Sequence, residues 1–130
     1  MRNIVVGVDG SGVSRLALEF AGRLGLEVGA CLTVVNVRRL ATAVSRSWSR
    51  AEERRAWAEA AAVLDPLGVS WQLHTSSGDP VAELDRSAGE HGADLIVIGG
   101  RGNTMGSRVL LESVSSRLVH QAHHPVLVVR

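Results

Sequence analysis

Two glycine-rich stretches of this sequence have the composition of loops that bind a phosphate chain. The first covers residues 7–12, and the second, residues 99–107, holds four glycines within eight positions. Glycine lets backbone N–H groups approach a ligand closely, and a helix that begins just after the loop adds partial positive charge. Arg101 and Arg108 could supply charge-assisted hydrogen bonds. Tight turns between strands and helices also need glycine for positive φ angles, so the phosphate-binding and the purely structural interpretations both stay open.

Asp9 stands inside the first glycine-rich stretch and also has two interpretations. A short acidic side chain just before a helix is a common N-cap. In a binding site, the same carboxylate would accept a hydrogen bond from a ribose hydroxyl or an adenine amino group, or it would bind a Mg²⁺ ion carried by a nucleotide. The residue type and its position do not decide between a cap and a ligand contact.

The absence of lysine excludes two classes of phosphate-handling protein. All fourteen basic residues are arginine. A P-loop needs a lysine before its Ser or Thr, and receiver-type phosphoacceptor domains use a lysine beside an acidic cluster, so neither class fits. A dinucleotide-binding fingerprint is excluded as well, because Gly7, Gly10 and Gly12 have the wrong spacing. Arg38 also stands where that fingerprint needs an acidic residue.

The histidines and serines near the chain end form no recognisable catalytic or metal site. His120, His123 and His124 lie close in sequence, but no cysteine or clear carboxylate accompanies them, and imidazoles also favour the carbonyl end of a helix. Ser113 and Ser115 have no histidine or acid at a triad spacing. We therefore expect no catalytic residue. Slow nucleotide hydrolysis stays open, although the sequence offers no convincing base.

The elements that must position these residues follow from the hydrophobic pattern. Five short apolar runs alternate with four helical patterns, which is typical of βαβ units built on a parallel sheet. The predicted strands cover residues 3–8, 30–37, 69–75, 94–98 and 126–129. The third strand alternates apolar and polar residues and is expected at an edge of the sheet. Ligands bind such sheets at the carboxyl ends of the strands, so the loops after strands one and four form the predicted site.

The four helical patterns each present an apolar stripe. The stripes comprise Val13, Leu16, Ala17, Phe20, Ala21 and Leu24 in the first helix; Trp57, Ala61 and Leu64 in the second; Val81, Leu84 and Ala88 in the third; and Leu111, Val114 and Leu118 in the fourth. Gly25 is expected to end the first helix, and Pro66 and Gly68 the second. Asp79 and Pro80 are expected to open the third.

The composition predicts one globular domain over residues 1–130. Apolar residues make up 45% of the chain and charged residues 21%, and the net charge of +1 provides no broad field for nucleic acid or anionic lipid. We expect no nucleic-acid partner. We also expect no membrane segment, because no apolar stretch approaches about 18 residues and no secretion leader is visible. Cys31, the only cysteine, is expected to be a small buried hydrophobe in a reducing compartment.

Several motifs, taken in order, resemble the universal stress protein family over essentially the whole chain. They are Val8-Asp9-Gly10-Ser11, the strand end Val35-Asn36-Val37, the run over residues 94–102, Ser113-Val114-Ser115 and the closing run over residues 124–129. The most specific piece resembles the nucleotide signature of the ATP-binding branch, which has Gly, two residues, Gly, nine residues, then Gly and Ser or Thr. Gly99, Gly102 and Ser113 stand at its positions, whereas Glu112 replaces the third glycine.

This resemblance implies both a fold and a ligand. The implied fold is α/β: an open five-stranded parallel sheet in the order 3-2-1-4-5 with helices on both faces, Rossmann-like and similar to the adenine nucleotide alpha hydrolases. The implied ligand is ATP or another adenine nucleotide, with Mg²⁺ carried by it, bound by a regulatory stress-response protein in the cytoplasm. The implied contacts come from Gly7, Val8, Asp9, Val37, Gly99, Gly100, Arg101, Gly102, Ser113, Val114 and Ser115.

Within that set, the resemblance assigns Asp9 and Val37 to the adenine and Ser113 to the phosphates. Glu112 would bring like charge to the terminal phosphates, so AMP or ADP is expected to bind better than ATP. The alternative is a nucleotide-independent interaction protein, like the branch of the family without the full glycine signature. The resemblance also implies an unidentified protein partner and a homodimer through residues 126–129, where an unpaired strand edge suits a second strand.

Overall fold

The computed structural model describes residues 1–38, 47–100 and 114–130 of the chain. Within these residues, five parallel strands form one sheet: β1 (Asn3–Val8), β2 (Cys31–Arg38), β3 (Trp71–Ser77), β4 (Leu95–Gly99) and β5 (Val126–Val129). Their order across the sheet is β3-β2-β1-β4-β5. The predicted α/β class and strand order are confirmed, and β3 lies at an edge, as its alternating pattern predicted.

Helices cover both faces of this sheet. α1 (Gly12–Val28) and α2 (Arg50–Leu64) pack on one face, and α3 (Pro80–Glu90) packs on the other together with α4, whose described residues are 114–121. β1 and β5 have the predicted bounds, whereas the other strands begin one or two residues later than predicted.

The ends of α2 and α3 follow the predicted signals. Asp79 accepts a hydrogen bond from the Ala82 N–H at 3.1 Å, and Pro80 stands in the first turn of α3. After α2, a 3-10 turn over Asp65–Leu67 ends at Gly68, whose φ of 76° is in the left-handed region. The predicted residues therefore open α3 and end the turn that follows α2.

The end of α1 differs from the prediction. The helix continues through Gly25 to Val28, and Gly29, with a φ of 71°, provides the left-handed C-cap. Gly25 is needed for another reason: a Cβ atom there would lie 2.7 Å from Leu32 Cδ1. The prediction that Gly25 ends α1 was wrong because this glycine allows the helix to pack closely on β2.

Four residues predicted to be buried are exposed. Leu16 and Phe20 on α1 are 53% and 45% exposed, and Trp57 on α2 is 50% exposed. Cys31, at the first position of β2, is exposed as well. In the helices, the difference arises because Gly and Ala residues allow close contact with the sheet, so the larger side chains beside them point to solvent. The buried face of α2, for example, consists of Ala56, Ala60 and Leu64.

The core forms two layers, one on each side of the sheet, because successive strand residues point to opposite faces. On β1, Val6 faces α1 and α2, whereas Val5 faces α3 and α4. Val114 and Leu118 of α4 are buried in the second layer, as predicted, while Leu111 lies outside the described residues. Each large side chain buried in this way contributes about 1.5–3 kcal/mol, so the two layers hold the carboxyl ends of the strands in a fixed arrangement.

Candidate ligand-binding site

The loop after β1 is held by hydrogen bonds that include Asp9. The Ser11 N–H donates to Asp9 Oδ1 at 3.0 Å, and the Asp9 N–H donates to Ser14 Oγ at 3.3 Å. Gly10 adopts a φ of 85°, which favours glycine. Ser11 is the N-cap of α1, since its Oγ accepts from the Ser14 N–H at 3.2 Å. The cap is therefore Ser11, and Asp9 is an exposed carboxylate fixed by a turn at the end of β1.

A cleft opens at the carboxyl ends of β1 and β2. Its inner part, about 360 Å³ in volume, lies between α1 and α2, and its outer part, about 250 Å³, extends past Asp9 toward the start of α2. The two parts share Gly10, Asn36, Ala56 and Glu59 as lining residues, so they are continuous. We call them the inner cleft and the outer cleft.

Apolar side chains form much of the inner cleft. Val8, Leu18, Ala60 and Val63 line it, and Leu18 and Ala60 are buried. Polar groups at the mouth come from the first turn of α1 and from Asn36. The inner cleft thus combines an apolar interior with a polar opening, which is the usual composition of a small-molecule site.

One wall of the outer cleft contains charged side chains that are held in place by an ion pair and hydrogen bonds. The Arg38 guanidinium lies 4.6 Å from the Trp48 ring centroid and forms an ion pair with Glu52. Trp48 Nε1 donates to the Ser76 carbonyl oxygen at 2.9 Å. A hydrogen bond from the Ser49 backbone N–H, together with that from Arg38, lowers the pKa of Glu52 to about 2. Glu52 is therefore ionised near neutral pH, and this wall joins β2, β3 and α2.

Three of the predicted site glycines lie in close contact with neighbouring parts of the chain, and the closest is Gly99. A Cβ atom at Gly99 would lie 2.9 Å from the Val13 carbonyl oxygen in the first turn of α1. At Gly7 it would lie 3.0 Å from Leu84 Cδ2, and at Gly100 it would lie 3.0 Å from Val128 Cγ1. The structural interpretation of these glycines is thus supported, and their contact with a ligand stays a prediction.

The remaining predicted contacts are distributed over both faces of the sheet. Val8 lines the inner cleft, whereas Val37 packs against the core layer beneath α3 and α4. Val114 and Ser115 are buried at the start of the described part of α4. The predicted contacts Arg101, Gly102 and Ser113, along with Arg108 and Glu112, lie outside the described residues.

The strand order nevertheless brings the two predicted loops to one edge of the sheet. Val6 of β1 pairs with Val97 of β4 in parallel, so the carboxyl ends of the two strands lie side by side. Asp9 follows β1 and Gly100 follows β4 at that edge. The segment after β4 therefore starts at the same edge of the sheet as the loop after β1, as the winding of a parallel sheet requires.

Sequence reasoning missed several residues that shape the cleft: Asn36, Arg38, Trp48 and Glu59. A signal was present for Asn36, since a polar residue at the carboxyl end of an apolar parallel strand stands where ligands bind. No comparable signal marked Trp48 or Glu59, because helix-flanking tryptophan and glutamate residues are common on surfaces.

The two histidines after α4 bind one carboxylate. His123 Nδ1 lies 2.7 Å from Asp85 Oδ2, His124 Nδ1 lies 2.8 Å from Asp85 Oδ1, and the His123 N–H donates to Asp85 Oδ1 at 3.0 Å. Burial opposes ionisation of Asp85, but these hydrogen bonds outweigh it and lower its pKa to about 2. In the part of the chain that the structure describes, no group of three or more His, Cys, Asp or Glu residues is arranged to hold a metal ion. No helix there is long and apolar enough to cross a membrane.

Comparison with known proteins agrees with this architecture. The model of the universal stress protein family matches residues 1–130. The chain belongs to the universal stress protein family. A universal stress protein of Methanocaldococcus jannaschii is 33% identical over 139 residues, which cover 99% of this chain and 82% of that relative. The universal stress protein YxiE of Bacillus subtilis is 28% identical over 144 residues, covering 98% of this chain and 97% of that protein.

A solved structure of the family was determined with a ligand. A universal stress protein crystallised in complex with cAMP is 27% identical to this chain and superposes on it with a TM-score of 0.77. The match covers 99% of this chain and 97% of that one. The similarity confirms the Rossmann-like fold of this universal stress protein over nearly its whole length.

Proposed function

We propose that this universal stress protein binds an adenine nucleotide in the cleft and acts as a regulatory stress-response protein. The observation that carries the proposal is the continuous cleft at the carboxyl ends of β1 and β2, with Asp9 at its outer part. The cAMP complex of the related protein supports this ligand class. Nucleotide occupancy would change a surface that another protein recognises, and the proposed setting is the cytoplasm.

The size and chemistry of the cleft suit a nucleoside. Small-molecule sites usually enclose about 300–1,000 Å³, and the inner cleft alone measures about 360 Å³. Its apolar walls suit the faces of a base, while Asp9 in the outer cleft offers acceptors for amino or hydroxyl hydrogens. A carboxylate at this position would also reach a Mg²⁺ ion carried by the nucleotide.

The phosphates are assigned to the loop that follows Gly100, with Arg101, Gly102 and Ser113 as the proposed contacts. Glu112, in the segment between Gly100 and Val114, favours AMP or ADP over ATP in this proposal. Two like unit charges about 4 Å apart repel by about 1 kcal/mol in water and by about 4 kcal/mol near a protein surface. Since each 1.4 kcal/mol changes affinity tenfold, a terminal phosphate near Glu112 would weaken binding about five-fold or more.

We propose no catalytic turnover. A hydrolase needs a base to activate water beside the phosphates. Asp9 is fixed in a turn by Ser11 and is proposed as a binding carboxylate. Release of ADP or AMP from ATP over hours, in a Mg²⁺-dependent manner, would instead identify a slow hydrolase.

The proposal is tested by nucleotide content and by calorimetry. Heat-denatured purified protein should release an adenine nucleotide, and titration with AMP, ADP, ATP and cAMP should show binding. Asp9→Asn keeps an oxygen for the Ser11 N–H but removes the charge, so we expect at least about a tenfold loss of affinity. Glu27→Gln, an exposed carboxylate at the far end of α1, is the matched control. No released nucleotide and no heat of binding would favour the nucleotide-independent interaction protein.

A homodimer through β5 is a second part of the proposal. Within the described residues, nothing pairs with the outer side of β5, and its four residues are only half-buried. On α1, Gly22 faces the end of α2, and Leu16 and Phe20 lie on the opposite side of the same helix. α1 also contacts β4 and β5. An apolar flank beside an unpaired strand suits a second copy of the chain.

Backbone pairing in β5 provides a clean test of this dimer. The N–H groups of Ile96 in β4 and of Gly100 just after it donate to the carbonyl oxygens of Pro125 and Val129, so the N–H and carbonyl groups of Val128 point away from β4. Val128→Pro removes an outward N–H without removing a bond to β4. We expect a dimer mass for the wild type by light scattering at micromolar concentration and a monomer mass for this variant. A monomeric wild type would contradict the dimer.

A further inference from the structure

The backbone of the edge strand β3 offers hydrogen-bonding groups on its outer side. The Leu32 N–H of β2 donates to the Ser70 carbonyl oxygen at 2.9 Å, so the even-numbered residues of β3 bind β2. The N–H and carbonyl groups of Trp71, Leu73 and Thr75 therefore point away from β2, and no strand in the described part of the chain pairs with them. A row of such groups pairs with an extended segment of polypeptide.

β3 also lacks the features that usually keep an edge strand from pairing. Natural edge strands are often very short, are interrupted by a bulge, or carry a charged residue or a proline. The seven residues Trp71–Ser77 include no Asp, Glu, Lys, Arg or Pro, and their register with β2 is continuous. By contrast, β5 at the other edge has four residues. The edge of β3 is thus long and unprotected, which suits the binding of another strand.

Two tryptophans form an apolar surface along this edge. Trp57 of α2, which is half exposed, packs against Trp71, and Trp71 Nε1 donates to Asp65 Oδ1 at 2.9 Å. Leu73 points to the same face of the sheet and is partly buried. Tryptophan supplies a large contact area in protein interfaces. Apolar side chains at alternate positions of an added strand would therefore pack against these rings.

The flank of α2 beside this edge has a small net positive charge. Arg50 and Arg54 precede Trp57 by seven and three residues, so helical spacing places them on the same side of the helix as Trp57. Both are exposed, and neither forms an ion pair within the described residues. Glu53, exposed beside them, offsets one of the two charges. An acidic side chain of the added strand would thus be attracted here, and a basic one would be repelled.

We infer that the outer edge of β3 binds an extended segment of another protein, with apolar side chains toward Trp57 and Trp71 and an acidic side chain toward Arg54. The segment adds to the sheet as one further strand. A second copy of this chain fits less well. With the dimer through β5, pairing through β3 would build a continuous sheet of about twenty strands, and twisted open sheets rarely exceed about ten. None of these residues lines the cleft, so the inference goes beyond the proposed nucleotide binding and does not depend on it.

Two capped peptides, ETVTVTE and RTVTVTR, test this edge in the absence of nucleotide. In an extended peptide the valines and the terminal charges lie on one face, so either strand direction brings a charge toward the first turns of α2. By calorimetry, the wild type should bind ETVTVTE at least about threefold more tightly than RTVTVTR. Arg54→Glu makes the net charge of this flank negative and should reverse the preference. Arg23→Glu, at an exposed site on α1, is the matched control and should leave the preference unchanged.

Hydrogen exchange on the wild type tests the same edge without any variant. Saturating ETVTVTE should slow exchange of the Trp71, Leu73 and Thr75 amides at least about tenfold, whereas the Gln72 and His74 amides, which bind β2, exchange slowly with or without peptide. Equal binding of both peptides, binding of neither, or unchanged exchange at the three outward amides would overturn the inference. Slowed exchange that appears without peptide as the protein concentration rises would identify a second copy as the occupant and overturn the inference as well. Because nucleotide is absent, each of these results leaves the proposed nucleotide binding as it stands.

Discussion

Helices α1 and α2 leave a cleft between them, whereas α3 and α4 on the other face of the sheet are connected by hydrogen bonds and ion pairs. Arg117 of α4 donates two hydrogen bonds to Asp79 at the start of α3, at 2.9 and 3.1 Å. Farther along α3, Asp85 accepts from the segment after α4 through His123 and His124. Two carboxylates, one at the N-cap of α3 and one within the helix, thus bind α4 and the segment that follows it.

The open face has no such connection along the cleft. Where α1 and α2 face each other there, small side chains such as Ser14, Ala56 and Ala60 line the space, and no ion pair crosses it among the residues the structure describes. The comparison teaches that one sheet can keep a closed face for stability and an open face for a ligand. Side-chain size and charge on the helices make the difference, since both faces use the same strands.

Identical substitutions on the two faces should show this difference most clearly. Ala88→Met on α3 forces a long side chain into a site with no exposed surface, so we expect a loss of about 1–3 kcal/mol in the free energy of unfolding. Ala56→Met on α2 extends into the cleft and should cost less than about 1 kcal/mol while weakening nucleotide binding. Urea denaturation measures both, with the exposed Ala58→Met as control. Equal losses at positions 56 and 88 would mean that the cleft is closed in solution.

Acid should weaken the closed face through Asp85. Its folded pKa of about 2 lies below the ordinary value of 3.8, because the hydrogen bonds from His123 and His124 outweigh the effect of burial. A lowered folded pKa stabilises the protein above the unfolded value, and that contribution disappears as the pH falls from about 4 through about 2. We expect the wild type to lose on the order of 1–2 kcal/mol more than Asp85→Asn across this range, by urea denaturation at each pH. Parallel curves for the two proteins would contradict the assignment.

The Arg117–Asp79 pair should contribute least. Its side chains are 38% and 42% exposed, and exposed pairs contribute about 0.2–1 kcal/mol. Arg117→Met should therefore lower the free energy of unfolding by less than about 1 kcal/mol, and the loss should shrink in 1 M salt, where charges are screened within about 3 Å. A loss that does not depend on salt would point to packing of the arginine stem. Arg23→Met, at a more exposed pair on α1, is a suitable control.

The fold was predictable because its signals are local. Continuous apolar runs and capping residues such as Asp79 indicated the strands and α3 directly, and alternation placed β3 at an edge. The errors on α1 have one cause. Helical spacing identifies apolar residues but does not show that Gly22 and Gly25 make the closest contacts, which turn Leu16 and Phe20 toward solvent.

The site was predictable only in part. The position of Asp9 at the end of β1 followed from the pattern of strands and loops, and β1 does lie next to β4. The cleft depends on tertiary contacts that produce no signal in the local sequence. Trp48 forms a hydrogen bond with Ser76, 28 residues away, and Glu59 of α2 approaches the loop after β1. Glycine is ambiguous for a related reason, since close approach to a neighbouring helix and to a ligand select the same residue.

The anchoring of Trp48 gives the outer cleft a built-in optical reporter. Trp57 and Trp71 are in contact as a tilted pair, with ring centroids 4.3 Å apart. Trp71 begins β3, whereas Ser76, the partner of Trp48, is near the end of that strand. Five residues of strand separate the two places by about 16 Å. The Trp48 ring is therefore spatially separate from the pair formed by Trp57 and Trp71. Ligand binding in the outer cleft can be followed by the change in Trp48 emission, without attaching a dye.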